Sequence, residues 1–138
     1  MKKLSLKASC LCRGVKFTTK GNHRDVQNCH CIQCMKTHGH HAAYTNVEEQ
    51  NIKFTKKSTL KWFRSSKRAK RGFCSKCGAS VFFKVIGTKN ISIAAGMLDG
   101  ATKLKTIMNI FTKDKLDYYK LNKDVKRFNF YQIGRAHV

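Results

Sequence analysis

Hydrophobic and polar residues alternate with a period of two through much of the chain, a pattern that predicts short β-strands. The segments that show it are GVKFTT at 14–19, AAYTNV at 42–47, NIKFT at 51–55, LKWF at 60–63, SVFFKVIG at 80–87 and NISIAAG at 90–96. Helix is predicted only in two short pieces, Ile32–Thr37 and Thr106–Phe111. We therefore predict a mainly β protein built from antiparallel sheets.

The length of 138 residues suits one globular domain, and no repeat or linker divides the chain. We assign residues 1–130 to that domain and give no function to a tail at 131–138. The basic N-terminus lacks the apolar stretch of an export signal, and the apolar run Ile91–Leu98 is too short to span a membrane. We expect a soluble, cytoplasmic protein without a membrane partner.

Seven cysteines are an odd number, and disulfides rarely persist inside cells, so metal binding is the leading explanation. They fall in three groups: Cys10 and Cys12; Cys29, Cys31 and Cys34; Cys74 and Cys77. Cysteines two apart face opposite sides of a flat strand, so both Cys-x-Cys pairs predict bent backbone at 10–12 and 29–31. The alternative is that these cysteines are small buried hydrophobes.

The grouping suggests how the thiols divide between metal ions. Cys29, Cys31 and Cys34 lie close enough to share one ion, which leaves two distant pairs as a four-thiolate set. Four thiolates are typical of structural zinc, whereas three ligands with one open position are typical of catalytic zinc. The competing hypothesis is that a histidine closes the second site. The candidates are His30, His38, His40 and His41, of which His30 is expected to point away from the ion.

The net charge of +22 is the second unusual feature. The stretch 53–71 holds nine basic residues and no acid. Such a surface favours a polyanionic partner, and Trp62, Phe63 and Phe73 lie among the basic residues where they can stack on bases. A strand face that carries lysine only for solubility is the alternative interpretation.

The motifs resemble those of a known family. SCLCRGVKF, CHCIQCMKTHGHHAA, RSSKRAKRGFCSKCGASVFFK, ISIAAGMLD and IFTKDKLDYYKL resemble, in order and spacing, the family of glutathione-dependent formaldehyde-activating enzymes and centromere protein V. The similarity runs from about residue 8 to about residue 128. It implies a β-tent fold, in which two layers of antiparallel sheet carry zinc-binding cysteine loops at one end.

The resemblance also implies roles for the cysteines. Cys10, Cys12, Cys74 and Cys77 would hold a structural zinc, and Cys29, Cys31 and Cys34 a labile, catalytic one. The activity it implies is that of a carbon–sulfur lyase, which joins glutathione to formaldehyde to give an S-hydroxymethyl adduct.

The chemistry suits such a site, because a free thiol is only about 3% thiolate at pH 7 whereas a zinc-bound thiol is deprotonated. Arginine grips carboxylates with two hydrogen bonds, so Arg13, Arg64 and Arg71 are candidates to hold those of glutathione. We therefore expect a zinc enzyme acting on glutathione, or another small thiol, and an aldehyde. The alternative is a zinc-stabilised basic module that binds nucleic acid without strong sequence preference.

Overall fold

A computed structural model describes residues 2–131, and it is mainly β with most strands antiparallel. The strands are β1 Lys2–Ser9, β2 Lys16–Cys29, β3 Ala42–Glu48, β4 Ile52–Lys56, β5 Leu60–Arg64, β6 Ala69–Cys74, β7 Ser80–Val85, β8 Asn90–Ala94, β9 Leu98–Asp99, β10 Thr106–Ile110 and β11 Lys126–Arg127. The α-helix is α1, Ile32–His38, and short 3-10 turns span Glu49–Asn51, Ala95–Met97 and Thr112–Asp114.

The long strand β2 belongs to two sheets and joins them. Its first half pairs antiparallel with β1 and β4, and β1 also pairs with β9; we call these strands the first sheet. The end of β2 continues into the second sheet, whose order is β11-β10-β2-β3-β8-β7-β6-β5. The pairing of β2 with β3 shifts register between Arg24 and Gln27, and such an irregularity bends a strand.

The two sheets pack against each other through one apolar cluster. Ala8, Val15 and Phe17 from the first sheet and its loop meet Phe82 and Ile93 of the second, and all five are at least 98% buried. The rings of Phe17 and Phe82 lie 5.0 Å apart. A second cluster surrounds the end of β2, and it contains three of the cysteines.

All six predicted strand segments contain strands, and the predicted helix at Ile32–Thr37 is confirmed as α1. The helix predicted at Thr106–Phe111 is wrong, since this segment forms β10. β10 pairs parallel with the end of β2, so backbone pairing to a free strand edge outweighs local helical preference there. The sheet is therefore not wholly antiparallel, because β10 also pairs parallel with β11.

Four further strands, β1, β6 and the two-residue strands β9 and β11, were not predicted by sequence analysis. The alternation in β1 is carried by two leucines and one alanine among lysines and serines, and β6 is interrupted by Gly72. At the other end of the chain, Tyr131 packs against the second apolar cluster, and the remainder of the predicted tail, 132–138, lies outside the described residues. Within residues 2–131, α1 has only seven residues, and no helix has the length and apolar character needed to cross a bilayer.

Candidate metal centres

The fold gathers the seven cysteines into two groups, in the partition that spacing suggested. Within each group, the sulfur atoms all lie within 4.8 Å of one another. We call Cys10, Cys12, Cys74 and Cys77 the four-thiol cluster, and Cys29, Cys31 and Cys34 the three-thiol cluster. Thiolates in groups of three or four are a donor set that suits zinc.

The four-thiol cluster joins the loop after β1 to the turn after β6. The Sγ atom of Cys10 accepts the backbone N–H of Val15 at 3.3 Å, and that of Cys12 accepts the N–H of Gly14 at 3.4 Å. In the other turn, the Sγ of Cys74 accepts the N–H of Cys77 at 3.4 Å. The bent backbone predicted at 10–12 is present, and each of the two turns brings two sulfurs close together.

Thr59 packs between these two turns and links them. A Cβ atom on Gly14 would lie 2.3 Å from Thr59 Oγ1, so a larger residue there would displace the Thr59 side chain. The same Oγ1 lies 3.3 Å from Cys74 Sγ. Burial acts to raise the pKa of Cys74, but the Thr59 hydroxyl and the N–H groups of Cys77 and Lys76 outweigh it and lower the pKa to about 6. The turn therefore favours the thiolate form at Cys74. At Cys12 the N–H of Gly14 acts to lower the pKa, but burial and the neighbouring sulfurs raise it to about 11.

The three-thiol cluster is built where β2 ends and α1 begins. Cys29 is the last residue of β2, Cys31 caps the N-terminus of α1, and Cys34 lies in its first turn. The Cys31 sulfur accepts the N–H of Cys34 at 3.3 Å, so the cap fixes the spacing of the two thiols. The chain leaves the strand geometry after Cys29, as the Cys-x-Cys spacing predicted.

This cluster is buried in apolar surroundings. Cys29, Cys31 and Cys34 are 1%, 8% and 0% exposed, and they pack with Ala42 and Phe83. The contacts with Cys31 and Cys34, and then burial, raise the pKa of Cys29. The contact with Cys29 lowers the pKa of Cys34, but Cys31 and burial raise it to about 11. Three close thiols in an apolar site therefore need a cation to ionise together.

Arg71 of β6 supplies one cation to the three-thiol cluster. Its Nη2 atom lies 3.5 Å from Cys34 Sγ, and its Nη1 donates to the Tyr44 hydroxyl at 2.9 Å. Its Nε donates to Gln33 Oε1 at 2.8 Å, which orients the guanidinium. The side chain is only 3% exposed. A buried arginine so placed balances negative charge on the sulfurs.

The other two candidate arginines lie elsewhere. Arg64 is exposed at the end of β5 and donates to the Lys67 carbonyl at 2.9 Å. Arg13 is exposed in the loop of the four-thiol cluster and has a left-handed backbone, with φ of 64°. Of the three arginines, Arg71 is the one whose described contacts reach the three-thiol cluster.

Each of the four candidate histidines contacts other polar or aromatic side chains. Both ring nitrogens of His30 are engaged, Nδ1 with the Tyr119 hydroxyl at 2.6 Å and Nε2 with Asn109 Oδ1 at 2.8 Å. His38 Nε2 meets the Tyr44 hydroxyl at 2.9 Å. The rings of His40 and His41 contact each other at an angle of 50°, with their centroids 4.5 Å apart. Within residues 2–131, no histidine nitrogen joins the three sulfurs as a fourth ligand.

Two clefts lie near candidate site residues, one beside Arg71 and one along residues 115–127. One of about 310 Å³ is lined by Arg71 and by Thr37, His38, Phe63, Phe73 and Ser80, among others. The second, of about 620 Å³, is strongly basic and is lined by Lys115, Lys120, Lys123, Lys126 and Arg127, among others. Lys115 Nζ also donates to the carbonyl of Tyr119, whose hydroxyl meets His30. The signal for this second cleft was the recurring lysines of 113–127, which sequence analysis did not use.

The basic stretch 53–71 does not form one surface. Trp62 stacks on Phe82 with ring centroids 5.6 Å apart, and Gly72 leaves the room for this contact. Lys70 Nζ lies 4.4 Å from the centroid of the same indole ring. Phe63 is 43% exposed, but Trp62 is already stacked within the protein. The predicted row of aromatic platforms is therefore reduced to the rings of Phe63 and Phe73.

Comparison with known proteins gives a family for this architecture. Residues 5–114 match the glutathione-dependent formaldehyde-activating enzymes. A crystal structure of a Rhodobacter sphaeroides protein resembles the fold with a TM-score of 0.59 and 18% sequence identity, covering 71% of this chain and 92% of the other. At that identity the likeness shows the fold alone, and no curated protein matches the sequence. Because the family match spans residues 5–114, the chain belongs to the family of glutathione-dependent formaldehyde-activating enzymes.

Proposed function

We propose that this protein is a zinc-dependent enzyme of the carbon–sulfur lyase type. It acts on glutathione, or another small thiol, and on formaldehyde or a related aldehyde, and it gives an S-hydroxymethyl adduct. The observation that carries this proposal is a cluster of three buried thiols that no histidine of residues 2–131 completes, with the guanidinium of Arg71 beside it. Such a set has room for a fourth ligand from a substrate.

The donor sets of the two clusters fit two different zinc ions. Four thiolates complete a tetrahedral site, so we assign Cys10, Cys12, Cys74 and Cys77 to structural zinc. Cys29, Cys31 and Cys34 would hold a labile zinc, and we assign them the catalytic role. When bound there, that ion would supply Lewis-acid chemistry and favour a thiolate over a thiol.

Charge balance gives Arg71 a role in this site. Three thiolates and one divalent cation carry one net negative charge, and burial makes such a charge costly unless it is paired. The Arg71 guanidinium is itself buried and lies 3.5 Å from Cys34 Sγ, so it offsets that charge. Gln33 and Tyr44 hold the guanidinium in place. Arg71 therefore prepares the site for a further anionic group, the thiolate of the substrate.

The two clefts provide places for the rest of the substrate. Pockets that bind small molecules typically measure about 300 to 1,000 Å³. The cleft beside Arg71 falls in this range, and its Thr37, His38 and Ser80 offer polar groups to a peptide-like thiol. The basic cleft at 115–127 offers lysines to its carboxylates. Arg64, next to Phe63 of the first cleft, is a weaker candidate for a carboxylate contact.

Arg13 has the least support of the three predicted substrate-binding arginines, because it lies in the loop that carries Cys10 and Cys12. For the compartment, we propose the cytoplasm. The cysteines of residues 2–131 form no disulfide, and a reducing compartment rich in glutathione would preserve that state and supply the substrate.

Cobalt substitution tests the proposed thiol site. Co²⁺ loaded in place of zinc should show a thiolate–cobalt charge-transfer band that grows as glutathione is added, whereas S-methyl glutathione should leave the spectrum unchanged. In parallel, the rate of S-hydroxymethylglutathione formation, followed by NMR, should exceed the spontaneous rate. A spectrum unchanged at millimolar glutathione, together with a spontaneous rate only, contradicts the proposed function.

A further inference from the structure

The outer surface of the first sheet carries a set of lysines that the proposed enzyme does not use. Six of them lie on β1, β2 and β4, and all six are exposed: Lys3, Lys7, Lys16, Lys20, Lys53 and Lys56. We call these six residues the lysine face. They are distinct from the basic cleft at 115–127.

Strand register places these lysines on one side of the sheet. Lys7 lies opposite Thr18, and Lys20 lies opposite Ser5, and residues directly opposed across two antiparallel strands share a face. The alternate positions point the other way, and Leu6, Ala8 and Phe17 are buried in the core. Burial of the inner row therefore fixes the direction of the outer row, and the lysines cannot turn inward without a register change.

The lysine face is poorly neutralised. The ion pairs of residues 2–131 use Lys2, Lys84, Lys89 and Lys113, and none uses a lysine of this face. Its nearest acid in register is Asp99, opposite Lys7 on the short strand β9, and that carboxylate accepts a hydrogen bond from Ser9. The lysine face therefore presents a nearly uniform positive charge.

The register also places like charges side by side. Lys16 lies directly opposite Lys56, an arrangement that destabilises a sheet. A surface that serves only solubility intersperses both signs of charge. Because the lysine face keeps this unfavourable pairing and lacks acids, an anionic partner that offsets the repulsion explains it better than solvation does.

The form of this surface indicates which polyanion fits. Four residues along a strand span about 13 Å and neighbouring strands lie about 5 Å apart, so the lysines cover a patch of roughly 10 by 13 Å. Duplex DNA carries one charge per ~1.7 Å of its axis, which puts about seven phosphates along such a length. Between the lysines lie serine, threonine and asparagine, residues that also contact phosphate, and no aromatic ring on which bases could stack.

We propose that the lysine face binds the phosphate backbone of duplex DNA without sequence preference. Six phosphate contacts predict a slope of about −5 for the logarithm of the association constant against the logarithm of salt concentration. Binding should therefore weaken about 10³-fold between 50 and 200 mM salt. The proposal is independent of the thiol site, since none of its residues belongs to either cysteine cluster.

Fluorescence anisotropy with a 25-base-pair duplex tests it with two matched variants of the full-length, zinc-loaded protein. The first replaces Lys7, Lys16, Lys20 and Lys53 with glutamine. The control replaces four exposed lysines away from this face with glutamine, namely Lys61, Lys67, Lys103 and Lys105. Both variants lose the same charge, and circular dichroism and thiol-site activity check that each remains folded.

The first variant should flatten the salt slope by about 3.6, from the loss of four contacts, and weaken binding at least tenfold more than the control variant does. Equal losses in the two variants mean that only net charge matters and overturn the assignment to this face. Tighter binding of a single strand than of the duplex, or binding of phosphatidylserine vesicles but not of DNA, also overturns the proposal. Thiol-site activity lost together with DNA binding would reveal a folding defect, and single Lys→Gln changes on this face would then decide.

Discussion

The two cysteine clusters contain the same chemical group in opposite surroundings. The four-thiol cluster joins two turns whose contacting residues, Cys12 and Cys74, are 62 residues apart in sequence. Its sulfurs accept backbone N–H groups from the same turns. The three-thiol cluster comes from a single six-residue segment, lies inside the apolar core, and is faced by the side chain of Arg71. One arrangement ties two distant parts of the chain together, whereas the other brings together three sulfurs from neighbouring residues.

The difference in how negative charge is compensated follows from these positions. Backbone N–H groups at tight turns come with the fold and need no further desolvation. A buried guanidinium costs desolvation, which is offset only by a partner that carries negative charge. The three thiols, as thiolates, are the partner that offsets the burial of the Arg71 charge.

The largest effect is expected from breaking the four-thiol cluster. Cys74→Ser should leave the protein unfolded or insoluble, because structural zinc in small domains is linked to about 10 to 16 kcal/mol of binding free energy, more than most domains have in stability. Far-ultraviolet circular dichroism and metal analysis of the purified variant measure this. A Cys74→Ser protein that melts cooperatively with both zinc ions bound would show that the cluster is not structural.

A serine substitution in the three-thiol cluster should lower the metal content without unfolding the protein. Cys31→Ser should lower the zinc content from two ions per chain to one while the far-ultraviolet spectrum stays that of wild type, because this cluster lies within one segment and closes no long loop. Plasma emission spectrometry gives the zinc content. If Cys31→Ser unfolds the chain as Cys74→Ser does, the distinction between the two clusters is lost.

Removing the cation beside the three-thiol cluster is the next largest change. Arg71→Gln should destabilise the fold by about 3 to 5 kcal/mol, since breaking a buried charge pair leaves its partner uncompensated. It should also abolish the glutathione-induced band of the cobalt protein. Urea unfolding measures the stability, and Arg64→Gln on the exposed surface should stay within about 0.5 kcal/mol of wild type. Equal effects of the two substitutions would remove the role given to Arg71.

The cysteine groups of the metal centres could be predicted from the sequence, whereas most of the residues around them could not. Cysteine spacing is a local property, so turns at Cys10–Cys12 and Cys74–Cys77 could be predicted from neighbouring residues. The hydrogen-bond partners of His30 are Asn109 and Tyr119, which are 79 and 89 residues away in sequence. No pattern among the residues next to His30 specifies such contacts. For the same reason β10 was predicted as a helix, because its strand depends on pairing with β2. The three candidate substrate-binding arginines were chosen because of their residue type. Only the tertiary structure shows that Arg71 contacts the three-thiol cluster, whereas Arg13 lies in the loop of the four-thiol cluster.

The stability of the fold should depend on pH through the histidines near the three-thiol cluster. Burial, with the charges of His30 and His40, lowers the pKa of His41 from its ordinary 6.5 to about 4. Between these values the unfolded chain binds a proton that the folded chain does not, so stability falls as pH decreases from about 6.5 to about 4. His41 is only half-buried, so we expect the loss to be about 1.5 kcal/mol. His41→Gln should reduce this dependence in urea unfolding, while His38, whose pKa burial and the charge of Arg71 also lower to about 4, retains part of it. An unchanged curve would contradict the assignment.

The smallest expected effect concerns the hydrogen bond that holds His30 between two cysteines of the three-thiol cluster. Tyr119→Phe removes the hydroxyl that meets His30 Nδ1 at 2.6 Å, and the unpartnered ring nitrogen should cost about 1 kcal/mol. Tyr118→Phe is the matched control, since Tyr118 is 61% exposed and its partner, His40, lies near the surface. We expect a fall of a few degrees in melting temperature for Tyr119→Phe, a smaller one for Tyr118→Phe, and zinc content unchanged in both. Loss of one zinc ion from Tyr119→Phe would show instead that His30 positions the adjacent cysteines, and that the three-thiol cluster depends on the chain beyond residue 100 as the four-thiol cluster depends on its distant turn.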